Sequence, residues 1–206
     1  ATDVWFFFDD KNIYVSARLH DDDTEDIVAN DMRRDGAQVY QDDNLAMVFD
    51  TFFDHHTAFY FMTNPLGALR DGVVIDENNT NYDWNTVWDV KTHRDETGWT
   101  AELVVPFKSL RYPRERTQRW GVNVRRWNRH RNEQSLLSPS PPSAIHSSTC
   151  SAGTLPSSVT LTSYNEASWP VPDQEFDHLW FRVKRAVHSG VWGAQVSTCT
   201  STTISI

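Results

Sequence analysis

What most constrains this chain is its rhythm. Short runs alternate apolar and polar residues, and a turn signal stops each one after about ten residues. Val4–Phe8 is such a run, Asp9-Asp10-Lys11-Asn12 is the turn that stops it, and the second run carries Ile13, Val15, Ala17 and Leu19 on one side. Two runs around a short polar turn predict a hairpin. The pattern continues through Asn44–Phe53, His56–Thr63, Gly72–Ile75, Val87–Thr92, Trp99–Val105 and Trp120–Trp127, with a strong turn signal at Asn64–Gly67, NPLG. Helical signals are confined to single turns, near Asp26 and over Pro106–Leu110. Long periodic helices between strands, which a parallel α/β sheet needs, are absent. The expected fold is all-β: an antiparallel β-sandwich with short helical turns.

After Glu133 the rhythm breaks. Residues 139–169 are rich in Ser and Pro and predict a loop or extended continuation, with one strand at Val159–Ser163. Residues 170–206 carry mixed signals, although the Thr- and Ile-rich end has strand character. The division expected is a sandwich over 1–138, a connecting segment over 139–169 and a C-terminal segment over 170–206. A chain of 206 residues can bury one good-sized core or two small ones. It opens directly in a strand-like run, as a mature, excised or incomplete chain would. Cys150 and Cys199 show no CxxC spacing, and in an oxidising compartment they would form one long-range disulfide.

The net charge of −9 hides an asymmetry. Residues 1–60 hold fourteen Asp/Glu against four Lys/Arg, while residues 107–133 hold nine Lys/Arg against two Glu. The acidic half disfavours a phosphate backbone as partner, so no nucleic acid is expected. The basic run suits an anionic glycan or, equally, the chain's own carboxylates.

Three kinds of chemistry are on offer. Acidic loops put Asp21, Asp23, Asp50 and Asp76 forward as metal ligands, and carboxylate oxygens in loops are calcium chemistry. No spacing matches an EF-hand, so the motif itself is missing. Sugar recognition pairs flat rings with amide and guanidinium groups; Trp84, Asn85, Trp88, Arg125, Trp127 and Asn128 supply those types. Core packing is the competing reading for each Trp, and Trp84 and Trp88, four apart, fit a helical turn or a strand. Glu102 is the third case. It stands in the strand-like run Trp99–Val105, where Thr100 and Glu102 share the polar side. That makes Glu102 a structural carboxylate for Arg125 or Arg126 rather than a catalyst. No GxSxG elbow or glycine-rich phosphate loop occurs, and the adjacent His55 and His56 would point to opposite faces of a strand, a poor metal clamp, so no catalytic residue is assigned.

Four stretches together carry a resemblance. DDKNIYVSARLHDDD, DDNLAMVFDTFFDHHTAFYFMTNPLGALRDG, GWTAELVVPFKSLRYP and WGVNVRRWNRHRNEQSLLSP run in order over about 4–138 and resemble the family 9 carbohydrate-binding-like domains. The resemblance implies a jelly-roll-like β-sandwich, noncatalytic and sugar-binding, in a secreted, periplasmic or outer-membrane-associated bacterial protein. It also implies structural calcium, and a further strand ahead of Ala1 that normally pairs within the sandwich. Without that strand an edge would stand open to self-association or to another segment of the parent chain. The alternative is a structural or protein-interaction sandwich of the same fold with no free sugar ligand.

Overall fold

The computed structural model describes residues 1–76, 79–114 and 118–137, together with strands at 158–162, 192–196 and 204–205. Cys150 and Cys199, and with them the expected disulfide, lie outside the described residues, as does most of 139–206. The described residues form thirteen strands, with three 3-10 turns at Thr24–Asp26, Ala37–Gln41 and Phe107–Ser109. The strands are β1 (Thr2–Phe8), β2 (Asn12–His20), β3 (Asn44–Asp50), β4 (Ala58–Thr63), β5 (Arg70–Ile75), β6 (Asn79–Asn81), β7 (Asp89–Asp95), β8 (Gly98–Pro106), β9 (Gln118–Asn128), β10 (Glu133–Leu136), β11 (Ser158–Thr162), β12 (Trp192–Val196) and β13 (Ile204–Ser205). The hydrogen-bonded order is β6-β5-β4-β3-β9-β11-β12-β1-β2-β8-β7, with β10 on β9 and β13 on β1. Each of these pairings is antiparallel.

The two arms of this path fold over one another. Val4, Phe6, Phe8, Ile13, Val15, Ala17 and Leu19 of β1–β2, with Trp99, Leu103 and Val105 of β8, form one inner wall. Leu45, Met47, Phe49, Phe59 and Phe61 of β3–β4, with Trp120, Val122 and Val124 of β9, form the other. Period-2 alternation produces each wall, since every second side chain points the same way. The hairpin turn between β1 and β2 is held by Asp9, whose carboxylate accepts the N–H groups of Lys11 and Asn12. Gly67 ends the NPLG turn at φ 78°, in the left-handed region that favours glycine.

The edge of β1 is not open: β12 and β13 pair with it, and β11 and β12 join it to β9. A stretch from the far end of the chain therefore supplies the main-chain partners that an exposed edge would lack. Trp84 and Trp88 lie in neither a helix nor a strand. They sit in the connection between β6 and β7, because their rings are drawn to the phenyl groups of β4 rather than to a local repeat.

Candidate functional site

The outer face of the β5-β4-β3-β9-β10 layer differs from an ordinary wet sheet face. Ala46, Val48, Ala58, Tyr60, Met62 and Val74 stand on it and are all buried. Across the strands, register sets Gln134, Trp127 and Asn44 in one row and Leu136, Arg125, Ala46 and Met62 in the next. Arg70, opposite Met62, closes the second row. An apolar floor is thus flanked by two aromatic–guanidinium stacks. At one side Arg70 lies between Tyr40 and Tyr82, at 4.6 and 4.5 Å from their ring centres. At the other, the half-exposed indole of Trp127 has Arg129 at 5.0 Å and Arg125 at 5.9 Å. These are cation–π distances. Arg129 also donates to Gln41 Oε1 at 2.8 Å, which brings a second amide to the Trp127 rim beside Gln134.

The structure brings together two of the six aromatic, amide and guanidinium residues singled out in the sequence, Arg125 and Trp127. Asn128 follows Trp127 directly and so points to the opposite side of the strand, where its amide donates to Asp21 at 2.7 Å. Trp84 packs on Phe59 at 5.2 Å, and Trp88 is buried against Phe61 with its indole N–H donating to Asp71. Asn85 is engaged with Arg34 and Asp35. This second group fastens the β6–β7 connection to the 31–36 loop. Asp71 anchors it, also accepting Arg34 Nη2 at 2.6 Å and the Thr86 N–H at 2.7 Å, while burial pushes its carboxyl up. No sequence signal marks Gln41, Arg129 and Gln134 as a group, because they come from three segments.

Of the four aspartates expected to bind metal, Asp21 and Asp23 meet, and the third member of their group is His130. One ligand atom from each lies within 4.8 Å of the others, so the trio can hold a divalent ion. The surroundings are strongly cationic. Arg126 Nη2 bonds Asp21 Oδ2 at 3.1 Å, and Arg131 Nη2 bonds Asp23 Oδ2 at 2.7 Å. His130 Nε2 stands 3.7 Å from Asp21 and 4.0 Å from Asp23. Asp50 is elsewhere, accepting the N–H groups of Asp54 and His55, and Asp76 is an exposed turn residue at φ 51°. Arg126 is paired with Asp21 and not with Glu102. The reason is facing: Arg126 points inward from β9 toward the backbone oxygens of Ala1 and His20, whereas Glu102 stands on the outer side of β8, opposite Ser16 and Lys91.

The fold and these residues can be set beside known proteins. One solved structure, a family 9 carbohydrate-binding module from Caldicellulosiruptor kristjanssonii in complex with cellotriose, is 13% identical with a TM-score of 0.53. That match covers 82% of this chain and 80% of the module. A second, described as a putative carbohydrate-binding protein from Bacteroides uniformis, is 11% identical with a TM-score of 0.48, covering 61% of this chain and 62% of that one. No curated protein matches. At these identities the first structure shares a fold with this chain. The sequence itself goes further, since residues 1–136 match the family described as carbohydrate family 9 binding domain-like. The chain belongs to that family, as a carbohydrate-binding-like module.

Proposed function

We propose that the domain binds saccharide at the β9–β10 rim of the β5-β4-β3-β9-β10 layer, beside its covered apolar face, with Trp127 as the stacking ring. The observation that carries this reading is the Trp127 rim: a partly exposed indole with the Arg129 guanidinium at its ring, the buried Arg125 behind it and the amides of Gln41 and Gln134 beside it. A sugar offers a flat C–H face and a fringe of hydroxyls, which a ring and a set of fixed donors and acceptors complement. The similar module was solved with cellotriose, so cello-oligosaccharides are the first ligands to try. The setting proposed is a secreted, periplasmic or outer-membrane-associated bacterial protein. Calorimetric titration tests the reading. Trp127→Ala should weaken saccharide binding by about 2 kcal/mol, on the order of thirtyfold, with the β-sheet circular dichroism unchanged. Equal binding by the variant would remove Trp127 from the site. Failure of every neutral and acidic oligosaccharide would favour the interaction-domain alternative.

The Asp21–Asp23–His130 trio is a poor fit for calcium. That ion takes six to eight oxygen ligands, and here the trio supplies two carboxylates and an imidazole nitrogen. Imidazole with carboxylate suits zinc or a similar transition ion better. Melting with added calcium, with added zinc and with chelator separates the cases. The expected result is no calcium effect and a zinc-dependent rise in Tm that His130→Ala abolishes. A calcium-dependent rise lost in Asp23→Asn would restore calcium.

A further inference from the structure

A neutral saccharide donates and accepts through its hydroxyls, so a site that grips it needs acceptors as well as donors. At the Trp127 rim donors dominate, because the guanidinium groups of Arg125 and Arg129 can only donate. Arg125 is buried behind the ring, with its Nη2 3.4 Å from Asn44 Oδ1. Arg129 is partly exposed, and among the described residues its guanidinium has Gln41 Oε1 as acceptor, 2.8 Å from Nη2. That bond occupies the Gln41 oxygen and leaves Arg129 Nε and Nη1 with no described acceptor. Gln134 brings the other amide oxygen of the rim.

The carboxylates around the rim are engaged elsewhere. Asp42 is buried and accepts from Asn30, the Asp31 N–H and Asn64. Asp43, also buried, accepts the backbone N–H groups of Val28 and Arg129. Asp31 holds Arg33. Glu133 stands opposite Asn128 in the β9–β10 pair, so it points to the Arg126 side, away from Trp127 and Gln134. The acidic loop after β2 leads toward the other layer: Asp21 and Asp23 bond Arg126 and Arg131, and Ile27 O accepts from Arg94 of β7. Arg126 and Arg131 thus have carboxylate partners, whereas Arg129 has none at ion-pair distance among the described residues. In a chain of net charge −9, this guanidinium beside a partly exposed indole lacks a counter-ion of its own.

We infer that the saccharide of the Trp127 rim is acidic, a uronic acid whose carboxylate Arg129 binds; this rests on the rim being the saccharide site. A carboxylate is all acceptor, and a guanidinium fork meets both of its oxygens with parallel N–H bonds. In a hexuronic acid the carboxylate is carried directly on the sugar ring. A sugar ring resting against the indole therefore brings it within reach of Arg129, whose guanidinium carbon lies 5.0 Å from the indole centre. Gln41 is then a positioning residue, since its Oε1 holds the guanidinium beside the ring.

Calorimetric titration of the full chain with matched pairs of ligands tests this. One pair is a β-linked glucuronic acid trimer and cellotriose; another is a galacturonic acid trimer and its carboxyl-reduced form. The acidic member of at least one pair should bind about tenfold more tightly than its neutral partner. Added salt should narrow that gap. Arg129→Gln should close it, and Arg129→Lys, which keeps the charge and loses the fork, should leave part of it. Trp127→Ala should weaken both members. Arg129 is a partly exposed turn residue, so its variants should fold, and unchanged melting confirms it. Neutral members that bind as tightly as the acidic ones, and that Trp127→Ala weakens, overturn the inference and leave the saccharide site standing. So does an acidic preference that Arg129→Gln leaves intact. Binding of neither kind, or binding that Trp127→Ala leaves unchanged, removes the site and the inference with it. Tighter binding of a sulfated galactan trimer than of either uronate would assign Arg129 to a sulfate ester instead.

Discussion

Strand β9 has two ends, and the chain treats the positive charge at each in opposite ways. At and just past its C-terminal end, Arg126, Asn128, His130 and Arg131 close around Asp21 and Asp23, and the Asp21 and Arg126 side chains are 1% and 6% exposed. At its N-terminal end, Arg119 covers a phenyl ring and meets no described carboxylate. The same basic stretch of sequence is therefore half internal cement and half free surface. What separates the halves is the position of the acids. The β2 end delivers Asp21 beside the last residues of β9, while among the described residues Asp50 and Asp54, near its start, accept the N–H groups of their own loop. A charge run in a sequence is thus not one feature but two, and the fold decides which part remains available to a partner.

The sharpest way to break this comparison is at Arg126. Its guanidinium holds Asp21 and also donates to the backbone oxygens of Ala1 and His20, at 3.0 and 2.7 Å, tying β1, the end of β2 and β9 together. Burial lowers the Arg126 pKa, and the charge of Asp21 works against that. Arg126→Met removes one partner of a buried pair and leaves Asp21 charged without its main counterion. The expected loss is about 3–5 kcal/mol in urea denaturation. Adding Asp21→Asn should recover a large part of it, because the stranded charge goes with it. A single-variant loss below about 1 kcal/mol would show the two ends to be energetically alike.

How much of the fold and site can be read in the amino-acid sequence depends on whether a signal is local. The β1–β2 hairpin is legible, since alternation and the Asp9–Asn12 turn lie within twenty residues of the start. The run Asn44–Asp50 is legible as a strand but not as one buried on both faces, because what covers its outer face comes from elsewhere, including Val39, Tyr40 and Tyr82. Strand β10 escapes a reading of the sequence: Glu133–Leu136 is short and polar, and only pairing with β9 makes it a strand. The site is legible in part. Alternation alone separates Arg125 and Trp127 from Arg126 and Asn128, and it is the rule that keeps Asn128 out of the sugar group. His130 gives no sign of being a partner for Asp21, since more than a hundred residues separate them and only the return of β9 brings them together. Nor does Asn64 betray a role beyond its turn. Its side chain caps Leu66 and Ala68 and also donates to Asp42, a contact across twenty-two positions.

A smaller and finer test of the comparison lies at Asp50, at the free end. Its carboxylate holds the loop between β3 and β4, accepting the Asp54 N–H at 3.2 Å and the His55 N–H at 2.8 Å. Asp50→Ala leaves both donors unanswered and should cost about 1–3 kcal/mol, less than Arg126→Met, while loosening that loop. The conservative variant reads the charge itself. Burial is the largest influence on Asp50 and pushes its pKa up from 3.8. The folded state therefore binds this proton more tightly than the unfolded chain does, so ∂ΔG/∂pH is negative between the two values. Its contribution is fully present below 3.8 and is lost as the pH rises through the folded value. Asp50→Asn cannot ionise and escapes that loss. The melting temperature of the variant should gain on the parent as the pH rises from about 4 toward neutrality and then run parallel to it. The Asp21 end offers an internal control in Asp43, whose carboxyl burial also pushes up and which keeps its own pH dependence in both proteins. If the two melting curves keep a constant separation across the whole range, the loop is held by hydrogen-bond geometry alone and the Asp50 charge adds nothing to it.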